Sequence, residues 1–213
     1  MEYLTPSTYR KIINTISYIY NKSGTDPDMD LFRFKDVLNA FNEGQLNSKI
    51  WAVENLYQLV CDYHKECIVI GGWYGLFSIL FRQAGFNNPI INIDLDPMCK
   101  ELGSQIVNNK NIIFKTDDGL NIFDNINFHE KSKIIVCTAC EHIDPEDLNL
   151  FLSKKPLDTL ICLQSNNYYE VNSHINCSDS LQNFIESLPI KKIIFADEKP
   201  WKDKYTRYMV IGK

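Results

Sequence analysis

The stretch Ile68-Val69-Ile70-Gly71-Gly72-Trp73-Tyr74-Gly75 is a short apolar run that ends in a cluster of glycines. A helical pattern follows it, and a second apolar run, Ile90-Ile91-Asn92-Ile93, ends in Asp94. This order predicts a strand, a tight turn, a helix and a second strand, whose terminal acid can accept hydrogen bonds from two ribose hydroxyls. Asp94 follows Gly71 by 23 residues, close to the spacing of about 20 in units that bind an adenosine-containing ligand.

The bulk composition indicates a globular chain with no extended basic surface. Hydrophobic residues make up 45% and charged residues 23% of the 213 residues, and the net charge is −5. A negative net charge argues against a broad phosphate-binding face. No apolar run approaches the ~20 residues of a membrane span, and the first residues lack the basic and apolar regions of a signal peptide. We therefore predict a cytoplasmic protein with no membrane contact.

The seven cysteines are an odd number, and at least four of them lie in or beside apolar runs. Those four are Cys67, Cys137, Cys140 and Cys162. Their placement predicts reduced thiols that are packed in strands, not a disulfide framework.

The chain divides into a helical first part, residues 1–65, and an alternating second part, residues 66–213. We expect the first part to pack as an N-terminal helical cap on the second. Apolar runs predict strands at 67–70, 90–93, 111–115, 133–138, 158–163, 191–196 and 205–212, with helices at 75–85, 97–108, 145–153 and 179–187. The link between the last two strands is too short for a crossover helix, so these strands should pair antiparallel.

This order of elements resembles the class I S-adenosylmethionine-dependent methyltransferases. The resemblance covers about residues 66–213 and is carried by four segments, each of which follows one of the first four predicted strands: Gly71 to Gly75, Asp94, Thr116-Asp117-Asp118-Gly119, and Thr138-Ala139-Cys140-Glu141-His142-Ile143. It implies an α/β, Rossmann-like, seven-stranded mixed sheet with an antiparallel last strand and flanking helices.

The resemblance also implies S-adenosyl-L-methionine as the cofactor and a role for each segment. Gly71, Gly72, Trp73, Tyr74 and Gly75 would contact the methionine part. Asp94 would bind the ribose, and Asp117 or Asp118 would bind the adenine. Cys140 and its neighbours would lie beside the methyl group and its acceptor.

Two positions depart from the pattern of that family. Val69 stands where the family usually has an acid, and Trp73 replaces the middle glycine of the turn. The Trp73 ring could stack near the positively charged sulfonium, since aromatic faces attract cations, or it could pack against the N-terminal cap. Asp96 precedes Pro97, and we expect it to cap the next helix in preference to binding a ligand.

Glu141 and His142 follow the fourth predicted strand and are the candidate catalytic residues. Either could take a proton from an acceptor atom, and histidine suits that role because its ordinary pKa lies near neutrality. Alternatively, Glu141 contacts the positive end of the cofactor and His142 only begins a helix.

Cys137 and Cys140 have CxxC spacing and could form a zinc site with His142, His174 and Cys177. We nevertheless predict no metal site, because Cys137 lies inside an apolar strand and the chain has no second CxxC pair.

Polar and aromatic residues after the fifth predicted strand are the candidate substrate-binding group. They are Asn166, Tyr168 and Tyr169, and His174 could join them from the next loop. Amides and rings at a strand end can orient a substrate, although an ordinary polar loop would read the same way. Arg207 and Tyr208 in the last strand are assigned no chemistry.

The sequence thus predicts a methyltransferase whose acceptor cannot be read from it. The fourth-strand segment lacks the motifs of DNA methyltransferases, which favours a small molecule or a protein side chain over duplex DNA and leaves RNA or a nucleotide open. Two other classes stay open: a catalytically inactive partner subunit with the same fold, and an NAD-dependent oxidoreductase. The oligomeric state is not predicted.

Overall fold

The computed structural model describes residues 5–22, 27–60, 65–124 and 133–213. It contains one seven-stranded sheet with strand order β3-β2-β1-β4-β5-β7-β6. The strands are β1 (Cys67–Ile70), β2 (Ile90–Asp94), β3 (Ile112–Thr116), β4 (Ile134–Cys137), β5 (Leu160–Asn166), β6 (Ile193–Trp201) and β7 (Tyr205–Gly212). Each overlaps a predicted strand, because each apolar run is bounded by polar turn residues.

The helices are α1 (Pro6–Lys22), α2 (Pro27–Ala40), α3 (Glu43–Val60), α4 (Leu76–Gln83), α5 (Pro97–Val107), α6 (Pro145–Ser153) and α7 (Leu181–Glu186). The last four agree with the predicted helices. Helices α5 and α6 begin at a proline after an aspartate that accepts a backbone N–H: Asp96 from Met98 and Asp144 from Glu146. The expectation that Asp96 caps a helix is confirmed.

Strands β1 to β5 are parallel, whereas β7 runs antiparallel to both of its neighbours, β5 and β6. The predicted mixed sheet with an antiparallel last strand is therefore confirmed. The chain builds β2 and β3 on one side of β1 and then crosses to place β4 and β5 on the other side. Ligands of open α/β sheets bind at such a switch point, outside the carboxyl ends of the strands.

Apolar residues cover both faces of the sheet. Alternate residues of the strands belong to two separate cores: Val69 and Cys162 lie on one face, and Ile68 and Leu163 lie on the other. The first core also includes buried residues of α1, α2 and α3, among them Ile12, Val37 and Leu56. The N-terminal helices thus share a core with the sheet. The division into a cap, 1–65, and a domain, 66–213, stays a prediction.

Two parts of the fold differ from the sequence expectation. Within the helical first part, the polar residues 21–30 predict a loop and the pattern over 32–41 predicts a short helix, whereas α2 already begins at Pro27. Proline reads as a loop signal but is also favoured in the first turn of a helix, so composition alone could not separate the two. A 3-10 helix, Gly119–Asp124, was not predicted, because one short turn carries no periodicity.

None of the helices in the described residues is both long and apolar enough to cross a membrane.

Candidate ligand-binding and active site

A cavity of about 370 Å³ lies at the switch point of the sheet. The ends of β1, β2 and β4 form its floor, and helices α2 to α4 form its wall. The lining residues are Ala40, Gln45, Lys49, Val69, Gly71, Gly72, Trp73, Tyr74, Leu76, Phe77, Asp94, Thr138, Ala139, Glu141 and His142. Its volume lies within the range of about 300–1,000 Å³ that is usual for small-molecule sites.

The turn after β1 is built so that the backbone itself faces the cavity. Gly71 has a φ of 59°, in the left-handed region that favours glycine. The N–H of Gly72 donates to the carbonyl of Ile93 at 3.1 Å, which ties the turn to the end of β2. A Cβ on Gly72 would stand 2.6 Å from Oδ1 of the buried Asn92, so no larger residue fits there without displacing that amide.

Gly75 allows helix α4 to pack closely against the sheet. It begins α4 with a φ of 86°, and a Cβ there would meet the ring of Phe114 at 2.7 Å. This glycine therefore allows the helix to approach the sheet core.

Asp94 lies at the carboxyl end of β2 and lines the cavity. One carboxylate oxygen accepts the N–H of Trp73 at 2.9 Å, and the other accepts the N–H of Asp96 at 3.1 Å. Each carboxylate oxygen has a second acceptor position, so Asp94 can hold the turn and still accept hydrogen bonds from a ligand.

Trp73 and Tyr74 both bond to the cap. The indole Nε1–H of Trp73 donates to Asp36 of α2 at 3.1 Å, and the hydroxyl of Tyr74 donates to the same carboxylate oxygen at 2.6 Å. The two rings stack, with centroids 5.9 Å apart. Burial, together with the neighbouring Asp36 carboxylate, raises the pKa of Tyr74 well above its ordinary value. Of the two roles considered for Trp73, the contact with the cap is present, and its ring also lines the cavity.

Lys49 of α3 brings an ammonium group to the cavity wall. Its Nζ donates to Oε1 of Gln45, one turn earlier, at 2.6 Å. Burial and, to a smaller extent, the guanidinium of Arg207 lower the pKa of Lys49 to about 7.

Glu141 is a buried carboxylate that joins three strand ends. Its Oε1 accepts the side-chain N–H of Asn166 at 2.7 Å and lies 3.6 Å from Nη1 of Arg207. Its Oε2 is buried and has no hydrogen-bond partner among the described residues. Assigning no chemistry to Arg207 was incomplete, because this buried guanidinium pairs with a candidate catalytic acid.

His142 and His174 lie beside Glu141, and His142 lines the cavity. Their rings meet edge to face, with centroids 4.7 Å apart and an angle of 80° between the planes. His142 is exposed and His174 half-buried. One ligand atom from each histidine and one from Glu141 all lie within 4.8 Å of one another.

The structure thus brings together many of the predicted site residues. Gly71, Gly72, Trp73, Tyr74, Asp94, Glu141 and His142 line the cavity, and Asn166 and His174 adjoin Glu141 and His142.

The other predicted site residues lie elsewhere within the described part of the chain: Gly75, Asp117, Asp118, Cys140, Tyr168 and Tyr169 are outside the cavity lining. Asp118 accepts the N–H of Leu120 at the start of the 3-10 helix, and Asp117 is exposed. Tyr169 is exposed and donates to Asp179. Their roles in ligand binding stay predictions.

The cysteines are free and mostly buried, as predicted. Cys67, Cys99, Cys137, Cys140 and Cys162 are buried, Cys177 is half-buried, and Cys61 lies outside the described residues. The thiol of Cys140 donates to the carbonyl of Cys137, and burial contributes to raising its pKa well above the usual value.

Sequence reasoning missed the residues that the cap contributes, namely Ala40, Gln45 and Lys49. Helical periodicity shows which face of α3 is apolar, but not which cavity that helix will border. A lysine and a glutamine one turn apart beside an apolar face were the only available signal.

The structure is similar at low sequence identity to two solved SAM-dependent methyltransferases and to MtNAS. A SAM-dependent methyltransferase from Leishmania major aligns with a TM-score of 0.64 and 11% identity, over 95% of this chain and 83% of that one. A SAM-dependent methyltransferase from Anabaena variabilis aligns with a TM-score of 0.58 and 15% identity, over 76% and 83%. A point mutant of MtNAS in complex with S-adenosylmethionine aligns with a TM-score of 0.56 and 13% identity, over 97% of this chain and 72% of that one.

No protein-family model matches the sequence, and no curated protein matches it either. The strand order and the structural matches agree, and the chain has the fold of the class I S-adenosylmethionine-dependent methyltransferases.

Proposed function

We propose that this protein is an S-adenosylmethionine-dependent methyltransferase that binds its methyl donor in the switch-point cavity. The observation that carries the proposal is the carboxylate of Asp94, which lies beside the Gly71–Gly72 turn in a cavity of about 370 Å³. Structures with this fold include one in complex with S-adenosylmethionine and one with SAH bound.

The cavity has features that suit an adenosyl sulfonium. Asp94 has acceptor positions left for two ribose hydroxyls after it has bonded the turn. Gly71 presents backbone with no side chain to fill the space. Asp94 brings to the lining a carboxylate that has no cationic partner among the described side chains, whereas Glu141 is paired with Arg207. The charge of Asp94 favours a cationic ligand on its side of the cavity, away from the ammonium group of Lys49.

The proposed reaction requires positioning more than acid or base strength. S-adenosylmethionine supplies a methyl carbon on a sulfonium, so an acceptor atom forms its bond to that carbon while the bond to sulfur breaks and its electron pair stays on sulfur. The chain's own contribution is to hold both reactants in line and to exclude water. The cap residues Ala40, Gln45 and Lys49 border the cavity and would shield it.

Glu141 and His142 are the proposed catalytic residues for an acceptor that must lose a proton. Nδ1 of His142 faces the carbonyl of Ser173 at 3.0 Å, which leaves Nε2 with a lone pair. The unpartnered Oε2 of Glu141 is a second proton acceptor. We propose a small molecule or a protein side chain as the methyl acceptor, bound near Asn166 and His174.

Calorimetric titration with S-adenosylmethionine, S-adenosylhomocysteine and NAD tests the proposal. We expect both sulfur ligands to bind with one site per chain and NAD to give no heat of binding. Conversion of S-adenosylmethionine to S-adenosylhomocysteine in the presence of an acceptor pool would identify an enzyme. Binding without any turnover would favour the inactive partner subunit, and binding of NAD alone would contradict the proposal.

A further inference from the structure

We propose that Glu141, His142 and His174 form a binding site for a divalent transition-metal ion of the zinc type. One ligand atom from each residue lies within 4.8 Å of the other two. In a tetrahedral zinc site, with metal–ligand bonds near 2.0–2.1 Å, neighbouring ligand atoms are about 3.3 Å apart. Because His142 is exposed, a rotation of its side chain can supply the contraction that metal binding requires.

The hydrogen bonds of the two imidazoles use Nδ1 of each ring and leave Nε2 available to a metal ion. Nδ1 of His142 lies 3.0 Å from the carbonyl of Ser173, and Nδ1 of His174 lies 2.7 Å from the carbonyl of Tyr168. A carbonyl can only accept, so each Nδ1 carries the proton and each Nε2 keeps its lone pair. Metal-binding histidines commonly donate their other ring N–H to a backbone carbonyl in this way, which fixes the tautomer and the ring orientation.

The carboxylate supplies the third ligand. Oε1 of Glu141 is occupied by the amide of Asn166 at 2.7 Å, whereas Oε2 is buried and has no hydrogen-bond partner within the described residues. A buried acceptor with no partner is destabilising, and a metal ion at Oε2 would remove that penalty.

The backbone holds the two halves of the site together. The carbonyl of Glu141 accepts the N–H groups of Ile175 and Asn176 at 2.9 and 3.0 Å. These two bonds join the loop that carries His174 to the end of β4, so two ligands that are distant in sequence are fixed side by side without any metal.

The ligand set indicates the class of ion. Two imidazoles and one carboxylate are a known set for Zn²⁺ sites that keep a fourth position open, whereas Mg²⁺ prefers oxygen ligands. Glu141 and His142 also line the cavity, so the open position would face the space where a substrate enters. An oxygen or nitrogen atom of that substrate is the ligand expected to fill it. In the metal-bound form Nε2 of His142 and Oε2 of Glu141 are occupied as ligands, so their role as proton acceptors applies to the metal-free protein.

This inference does not depend on the methyltransferase proposal, because metal binding is measured without any methyl donor. The full-length protein is treated with a chelator, dialysed and titrated with Zn²⁺ and, separately, with Mg²⁺. We expect one Zn²⁺ per chain and no measurable Mg²⁺ binding. The Co²⁺-loaded protein should show the visible absorption bands of a tetrahedral nitrogen- and oxygen-ligated ion.

Two ligand variants and two controls complete the test. His142→Gln and His174→Gln should each weaken Zn²⁺ binding at least tenfold and remove the Co²⁺ bands, while circular dichroism stays unchanged. Asp144→Asn removes a nearby carboxylate but can still cap α6, and Cys177→Ser removes a nearby half-buried thiol. Both controls should bind Zn²⁺ as the parent protein does.

The proposal is overturned if the chelator-treated protein takes up no stoichiometric Zn²⁺. It is equally overturned if both histidine variants keep the parent affinity, or if Cys177→Ser loses as much affinity as they do, since the ion would then be held elsewhere.

Discussion

Asp94 has two tasks, and the choice of substitution can separate them. Alanine would leave the N–H groups of Trp73 and Asp96 without their acceptor and would disturb the turn as well as the ligand. Asparagine keeps one carbonyl acceptor in place and removes the charge and one acceptor group. Asn is therefore the sharper probe of ligand binding, a distinction that the sequence could not provide.

We expect Asp94→Asn to weaken S-adenosylhomocysteine binding at least tenfold, which corresponds to about 1.4 kcal/mol. The measurement is calorimetric titration beside chemical denaturation, in which the free energy of unfolding should change much less. Asp197→Asn removes an exposed carboxylate on β6 and serves as the matched control. Equal affinity in both variants would move the ribose contact away from Asp94.

Among the strands, β5 contains a buried thiol that makes stability depend on pH. Burial raises the pKa of Cys162 to about 12, whereas a thiol in an unfolded chain ionises near pH 8.5. Above about pH 8.5 the unfolded state loses a proton that the native state retains. Stability should therefore fall with rising pH, by up to about 1.4 kcal/mol per pH unit for this one group.

Cys162→Ala should flatten that alkaline decline, although other buried groups such as Cys67 and Tyr74 will preserve part of it. Denaturant unfolding between pH 8 and pH 11 gives the slope. Val136→Ala is the control. Val136 pairs with Cys162 in the sheet register, so this substitution leaves a cavity at the same place in the sheet but keeps the Cys162 thiol. Parallel slopes for the parent protein and Cys162→Ala would contradict the prediction.

The carboxylate of Asp36 on helix α2 contacts the turn after β1. Asp36 accepts hydrogen bonds from Trp73 and from the fully buried Tyr74. Asp36→Ala would leave both donors without this acceptor, and we expect a loss of about 1–3 kcal/mol in the free energy of unfolding. Lys35→Ala changes an exposed neighbour on the same helix and should have little effect. A loss of the same size in both variants would mean that the helix, not the carboxylate contact, is responsible.

The elements of the sheet could be predicted from the sequence because their signals are local. Each strand is an apolar run with polar ends, and Asp96 and Asp144 cap helices that begin with proline. The start of α2 was missed because a proline such as Pro27 can indicate either a loop or the first turn of a helix. No local pattern could specify that α2 would place Asp36 against Trp73, since that contact depends on how the cap docks.

The site residues that lie at the ends of strands could be predicted from the sequence. The carboxyl ends of parallel strands meet at one edge, so Gly71, Asp94 and Glu141 converge as expected. The position of His174 beside His142 depends on a loop conformation, and the contribution of Lys49 depends on tertiary packing. Sequence periodicity does not report long-range contacts of this kind. The sequence therefore predicted His174 near the site but no metal site, and it did not predict that Glu141 would join the two histidines.

Across the whole molecule, the cavity is walled partly by strand ends and partly by the cap, so one ligand should protect both. Residues 40–49 belong to the cap wall, and residues 71–77 and 138–142 belong to the sheet side. A ligand at 100 times its dissociation constant stabilises the closed, ligand-bound state by about 2.7 kcal/mol. This free energy lowers the equilibrium constant for opening of the cavity by a factor of about 100. Amide exchange that requires the cavity to open should slow by a similar factor.

We therefore expect saturating S-adenosylhomocysteine to slow hydrogen–deuterium exchange in all three segments together, as measured by mass spectrometry of peptides. The tip of the β6–β7 hairpin, residues 199–205, lies outside the cavity lining and is the internal reference. NAD should protect none of the segments, and a tenfold weaker affinity in Asp94→Asn should reduce the protection by a factor of about ten at equal ligand concentration. If only the strand-end segments were protected, the cap would border the cavity without closing over its ligand. A cap that closed over the ligand would have to open before the ligand could leave, so its amides should be protected as well.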